Sequence, residues 1–206
     1  MERAVRPALI VVLLAPLALA QTSSSLMPAA TSLEREFAAG GRLELRLSSG
    51  TYTIRSGADN KIRIRWETRK PEQLKKVKID IQAANSGATV RTHTPRNSDF
   101  QAVIELPERT DLHVRLSAGD LQITGIEGNK DVECHAGDIT INIGSAAEYA
   151  RVDASARAGD IEAPPFKASK GGLFRRFQWQ GKGKYSLHVH VGAGSITLLG
   201  VQQAAG

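Results

Sequence analysis

One six-residue phrase comes five times in this chain: a small residue, glycine, Asp, Ser or Thr, then two apolar positions around a variable one. The copies are Ser49-Gly50-Thr51-Tyr52-Thr53-Ile54, Ala118-Gly119-Asp120-Leu121-Gln122-Ile123, Ala136-Gly137-Asp138-Ile139-Thr140-Ile141, Ala158-Gly159-Asp160-Ile161-Glu162-Ala163 and Ala193-Gly194-Ser195-Ile196-Thr197-Leu198. Each follows an alternating run, so the unit is strand, corner, strand. A unit of this kind cannot bury its apolar face alone and must stack on its neighbours. The expectation is an all-β, single-domain, right-handed β-solenoid or β-roll-like stack of short strands. Its structural corners are Gly50, Gly119, Asp120, Gly137, Asp138, Gly159, Asp160 and Gly194.

The rest of the chain also has a period of two. Leu43, Leu45 and Leu47 alternate with polar residues, as do Ile62, Ile64 and Trp66, and Val77, Ile79 and Ile81. Clusters such as Ser56-Gly57-Ala58-Asp59-Asn60 and Asn85-Ser86-Gly87 separate these runs as turns. Only Pro71 to Lys78 has helical character, and it is short. Aligning the copies backward from the glycine gives columns. The inward ones hold Leu112, Val114 and Leu116; Val132 and Cys134, with Lys130 as the exception; Val152, Ala154 and Ala156; Leu187, Val189 and Val191. Cys134 therefore reads as a buried structural thiol.

The outward columns hold His113, Asp131, Asp153 and His188, and then Arg115, Glu133, Ser155 and His190. If successive units are neighbours, His113 faces Asp131 and Arg115 faces Glu133 at ~4.8 Å. Histidines two apart on one strand share a face, and with a carboxylate they can ligate zinc. No metal-binding sequence motif supports that reading, so solvated cross-strand pairing is preferred and no metal is assigned. The carboxylates of Asp120, Asp138 and Asp160 offer hard oxygen ligands for calcium. Turn capping is preferred because Thr51 and Ser195 stand at the same place in other copies. Gly192-Ala193-Gly194 lacks the third glycine and the helix of a nucleotide fingerprint. No nucleophile elbow or phosphate loop is present, and neither an enzyme activity nor a cofactor is expected.

The N-terminus reads as an export signal. Arg3 and Arg6 precede an apolar run from Ala8 to Leu19, and Ala18-Leu19-Ala20 supplies a cleavage site. The run is too short to span a bilayer. Residues 1–20 are thus read as a signal peptide, 21–36 as a flexible leader, 37–200 as the β-repeat domain and 201–206 as a disordered tail. No transmembrane segment is expected after cleavage, and the destination is periplasm, cell surface or medium. Cleavage takes one unit from the formal charge of +6. A lone cysteine gives no internal disulfide.

Between Pro164 and Lys184 the repeat breaks. Lys167, Lys170, Arg175, Arg176, Lys182 and Lys184 are interleaved with Phe166, Phe174, Phe177 and Trp179, and no Asp or Glu follows Glu162. One reading is a loop docking on an anionic cell-envelope component or polysaccharide through Lys170, Phe174, Arg175, Arg176, Phe177 and Trp179. The other is a cap in which the aromatics cover the end of the stack. Nucleic acid is not expected as a partner of an exported chain.

The run from Phe37 to Leu45 leading to Ser49-Gly50, the two Ala-Gly-Asp corners between Leu116 and Ile141, and the ending from Gly181 to Leu198 resemble a family of bacterial exported putative adhesin domains. The resemblance covers about Phe37 to Leu198. It implies an extracytoplasmic β-solenoid-like domain and carries over no catalytic residue; the long insertion from Phe166 to Lys184 departs from a simple short repeat. The expected function is a non-enzymatic, exported interaction module. The alternatives are a carbohydrate-active or metal-dependent β-helix enzyme and a structural envelope scaffold.

Overall fold

The structure is a computed structural model that describes residues 31–84 and 87–200. The signal peptide, the first part of the leader (21–30) and the tail expected at 201–206 lie outside these residues. Fifteen strands are present: β1 Thr31–Glu36, β2 Arg42–Leu47, β3 Thr51–Gly57, β4 Lys61–Glu67, β5 Lys78–Ala84, β6 Gly87–His93, β7 Gln101–Pro107, β8 Asp111–Ala118, β9 Leu121–Thr124, β10 Lys130–Ala136, β11 Ile139–Asn142, β12 Tyr149–Ala163, β13 Ala168–Gln180, β14 Tyr185–Ala193 and β15 Ile196–Leu199. The short helix α1, Pro71–Leu74, falls where helical character was expected, with proline in its first turn.

The strands form one sheet in the order β1-β4-β7-β3-β9-β11-β15-β12-β14-β10-β8-β2-β6-β5, with β13 added to β12. The sheet nearly closes on itself, because β1 at one end of this path returns against β5 at the other. Parallel strands fill its middle. β2, β8, β10, β14 and the first part of β12 make one wall; β3, β9, β11, β15 and the end of β12 make the facing wall. Antiparallel strands close the ends: β1, β4 and β5 on one side and β13 on the other. The expected stack of short strands thus becomes a single barrel-like sheet.

The alternating pattern explains the walls. Leu43, Leu45, Val114, Val132, Val189 and Ala154 point inward from one wall, and Ile54, Ile123, Ile141, Leu198 and Ile161 from the other, all fully buried. At about 25 cal/mol per Å² of apolar surface, this double layer supplies the main driving force for folding. Cys134 is buried in it as expected, and burial raises its thiol pKa.

Between the walls the five repeat glycines lie in a column, ordered Gly50, Gly119, Gly137, Gly194, Gly159. Gly50 N donates to Ala118 O at 3.0 Å, Gly119 N to Ala136 O at 2.9 Å, Gly137 N to Ala193 O at 2.8 Å and Gly194 N to Ala158 O at 2.9 Å. Gly137 shows why no other residue fits. Its φ is +133°, and a Cβ there would stand 2.0 Å from the carbonyl oxygen of Gly119. The side chain of Asp138 accepts a hydrogen bond at 2.8 Å from the backbone N–H of Ser195, on the neighbouring unit. For Asp120 and Asp160 no equivalent bond is present among the described residues.

Three features differ from the sequence reading. The leader does not extend to residue 36, because Leu33 and its neighbours pair antiparallel with β4 and begin the sheet at Thr31. The units do not stack in chain order: β14 and β15 slot between β10–β11 and β12. Finally, the supposed loop after Pro164 contains the 13-residue strand β13, paired with β12 from Arg151↔Gln180 to Ala163↔Ala168.

Candidate functional site

Two exposed arrangements follow from this topology. The first is the outer face of the β2–β8–β10–β14–β12 wall. Because side chains alternate, every second residue projects outward, and register places Glu44, His113, Asp131, His188, Asp153 and Gln178 in one row across six strands. The next row is Arg46, Arg115, Glu133, His190, Ser155 and Arg176. The expected pairing of His113 with Asp131 and of Arg115 with Glu133 is present. His113 Nδ1 lies 2.9 Å from Asp131 Oδ2, off the line of a hydrogen bond, and Arg115 Nε lies 3.1 Å from Glu133 Oε2. Insertion of β14 gives Asp131 a second imidazole neighbour, His188, and separates it from Asp153. One nitrogen or oxygen from each of Asp131, Glu133 and His188 lies within 4.8 Å of the other two. Beside them, an open groove of about 710 Å³ is lined by Arg46, Arg115, His135, Arg157 and His190 among others.

The row ends in a clamp. Asp153 is buried, with a side chain 7% exposed, and Arg176 of β13 donates to it from Nε and Nη2 at 3.1 and 2.5 Å. Gln178 Nε2 adds a third bond at 2.9 Å. The Arg176 hydrogen bonds hold the Asp153 carboxyl below its ordinary pKa, against the opposing effect of burial.

The second arrangement is β13 itself, and it divides the residues that sequence reading had grouped. Phe177 is buried and Trp179 half-buried; both rings pack on Phe166, at centroid distances of 5.7 and 4.9 Å. Those aromatics cover the end of the stack, as the capping alternative required. Arg176 is committed to Asp153. Lys170 donates from Nζ to Arg176 O at 2.9 Å, and Arg175 from Nε to Gly171 O at 2.6 Å, so both cations are drawn in around the middle of the strand. Between them Leu173 is 66% and Phe174 79% exposed. Phe174 also has a left-handed backbone, φ +51°, which a bulky side chain seldom adopts. Sequence reading passed over Leu173, whose exposure depends on where β13 crosses the glycine column. Gly172 pairs with Gly159 and Leu173 with Ala158.

Lys130, the exception in the inward column, is buried. Its Nζ donates to Gly128 O at 3.1 Å and to the Tyr149 hydroxyl at 3.0 Å. Burial lowers its pKa to about 8, opposed by the charges of Glu127 and Asp111. Burial pushes the Tyr149 phenol the other way, upward. Among the described residues no helix is long and apolar enough to cross a membrane.

No family model matches the chain, and no curated protein matches it either. Among solved structures it is similar to a putative cell adhesion protein from Clostridium sporogenes, with a TM-score of 0.53 and 16% identity over 83% of this chain and 99% of that one. A putative adhesin from Parabacteroides distasonis aligns with 9% identity over 56% and 57% of the two chains, at a TM-score of 0.26. One from Bacteroides fragilis aligns with 10% identity over 82% and 97%, at 0.25. The first of these establishes a shared all-β fold.

Proposed function

We propose that this chain is an exported, non-catalytic interaction module of the adhesin kind, and that its contact surface is the middle of β13. The observation that carries the reading is the pair Leu173–Phe174. Two large apolar side chains stand in solvent on a strand fixed to the wall by the Asp153 clamp, and one of them holds an unfavourable backbone conformation. Burial against a partner would recover the apolar surface left exposed. Lys170 and Arg175 flank the pair, and the absence of acidic residues after Glu162 sets the sign of the partner: an anionic envelope polymer or lipid surface. The fold shared with a protein described as a cell adhesion protein supports this class of role, as does an N-terminus whose sequence reads as an export signal. Right-handed winding of the parallel units, the general rule for such connections, belongs to the same reading.

The test is a Phe174→Ala/Arg175→Ala variant, which leaves the clamp and the Phe166–Phe177–Trp179 cap intact. Retention on an acidic polysaccharide column or on anionic lipid vesicles is expected to fall about tenfold, one aromatic anchor and one cation being worth ~1–2 kcal/mol, with an unchanged unfolding midpoint. Equal retention of variant and parent on both supports rules out β13 as the contact surface.

A further inference from the structure

We infer that Asp131, Glu133 and His188 form a surface site for a divalent transition metal of the zinc class. No sequence motif announces it, because the donors come from strands far apart in the chain and only their register unites them. Asp131 and Glu133 project two residues apart from β10, and His188 stands opposite Asp131 on β14. Their donor atoms lie within 4.8 Å of one another. Zinc–ligand bonds of about 2.0–2.2 Å require donors somewhat closer than that. Rotation of the exposed imidazole and the half-exposed Glu133 side chain supplies the movement, while the strands stay fixed. Beneath the donors Val132, Cys134, Val189 and Val191 are buried in the core, so the platform is rigid.

The carboxylates are also oriented from the far side. Arg115 Nη1 lies 3.4 Å from Asp131 Oδ1 and its Nε 3.1 Å from Glu133 Oε2, while His113 flanks Asp131 Oδ2. This is the outer shell that fixes metal-binding carboxylates elsewhere. Among the described residues Glu133 Oε1 has no hydrogen-bond partner. One imidazole with two carboxylates suits zinc and its neighbours; calcium prefers six to eight oxygen ligands, which this wall does not offer. The Arg115 guanidinium opposes a cation beside it, so it tempers affinity even as it orients the ligands.

Titration of untagged protein with Zn²⁺, followed by calorimetry and by histidine side-chain NMR, is expected to show one ion per chain with the His188 resonances shifted. Ca²⁺ and Mg²⁺ at the same concentration leave those resonances in place. His188→Ala and Asp131→Asn each weaken binding by about tenfold or more, with folding checked by circular dichroism. Zinc binding that is absent in the parent, or unchanged by His188→Ala, overturns the site. None of these outcomes depends on β13, so the site stands or falls apart from the proposed contact surface.

Discussion

Lys130 shows most clearly what one residue costs this fold. It occupies a slot that its column reserves for apolar side chains, and the charges of Glu127 and Asp111 offset only part of the effect of burial. In the unfolded chain its proton is held to about 10.5, whereas in the folded protein it leaves near 8. Between those values the unfolded state binds more protons, so this group makes stability rise with pH; below 8 the penalty is constant. The full span corresponds to ~3 kcal/mol. Lys130→Met is therefore expected to stabilise the protein near neutrality. The difference between its denaturation free energy and the parent's should shrink from pH 8 toward 10. A difference independent of pH over that range contradicts the assignment. Taking the difference matters, because Cys134 and Tyr149, whose pKa values burial raises, lose stability as pH climbs. The lysine was visible in the sequence as a break in a column. Its burial was not, because an alternating pattern cannot say whether a polar exception turns inward or ends the strand.

At the scale of elements, the strands with strict alternation were legible, and β13 was not. Its sequence, ASKGGLFRRFQWQ, has two glycines and no sustained period of two. It becomes a strand because β12 offers it 15 residues of edge and Asp153 offers Arg176 and Gln178 a buried anchor. The aromatic–basic composition of the segment was legible. Its division into a cap and an exposed pair was unreadable, since it depends on register against β12. If the anchor holds the strand, Asp153→Asn will speed amide exchange over residues 169–178 more than in β10 or β14. It will also cost about 1–3 kcal/mol, the range for hydrogen bonds to a charged group. Acid acts in the same direction. Asp153 titrates below its unfolded value, so its contribution is present above that value and is lost as pH falls through the folded one. Unaltered exchange in β13 would show that the backbone ladder alone suffices.

For the whole molecule, the repeat made the parallel walls and the glycine column readable, because each unit carries its own corner. The spatial order of the units was not, because their inward columns are interchangeable: Leu, Val and Val of β14 fit beside Val132 and Cys134 as well as beside Val152 and Ala154. Chain order is the default guess, and here it fails. That failure also concealed the neighbourhood of Asp131 and His188. It follows that a chain ending after residue 184 lacks an interior rung of both walls rather than an outermost strand. Such a truncation is expected to lose cooperative unfolding altogether, whereas removal of an outermost strand would cost only part of the stability. A truncated protein that retains a sharp thermal transition would contradict this.

The position of β14 and β15 also makes the rest of the molecule a receptor for its own final hairpin-sized segment. A peptide spanning residues 185–200, supplied separately, has five apolar side chains that are buried in the native fold and two strands, each with both edges available, to dock between β10–β11 and β12. Because the chain's own segment is tethered beside this slot, it fills the slot ahead of any copy supplied from outside.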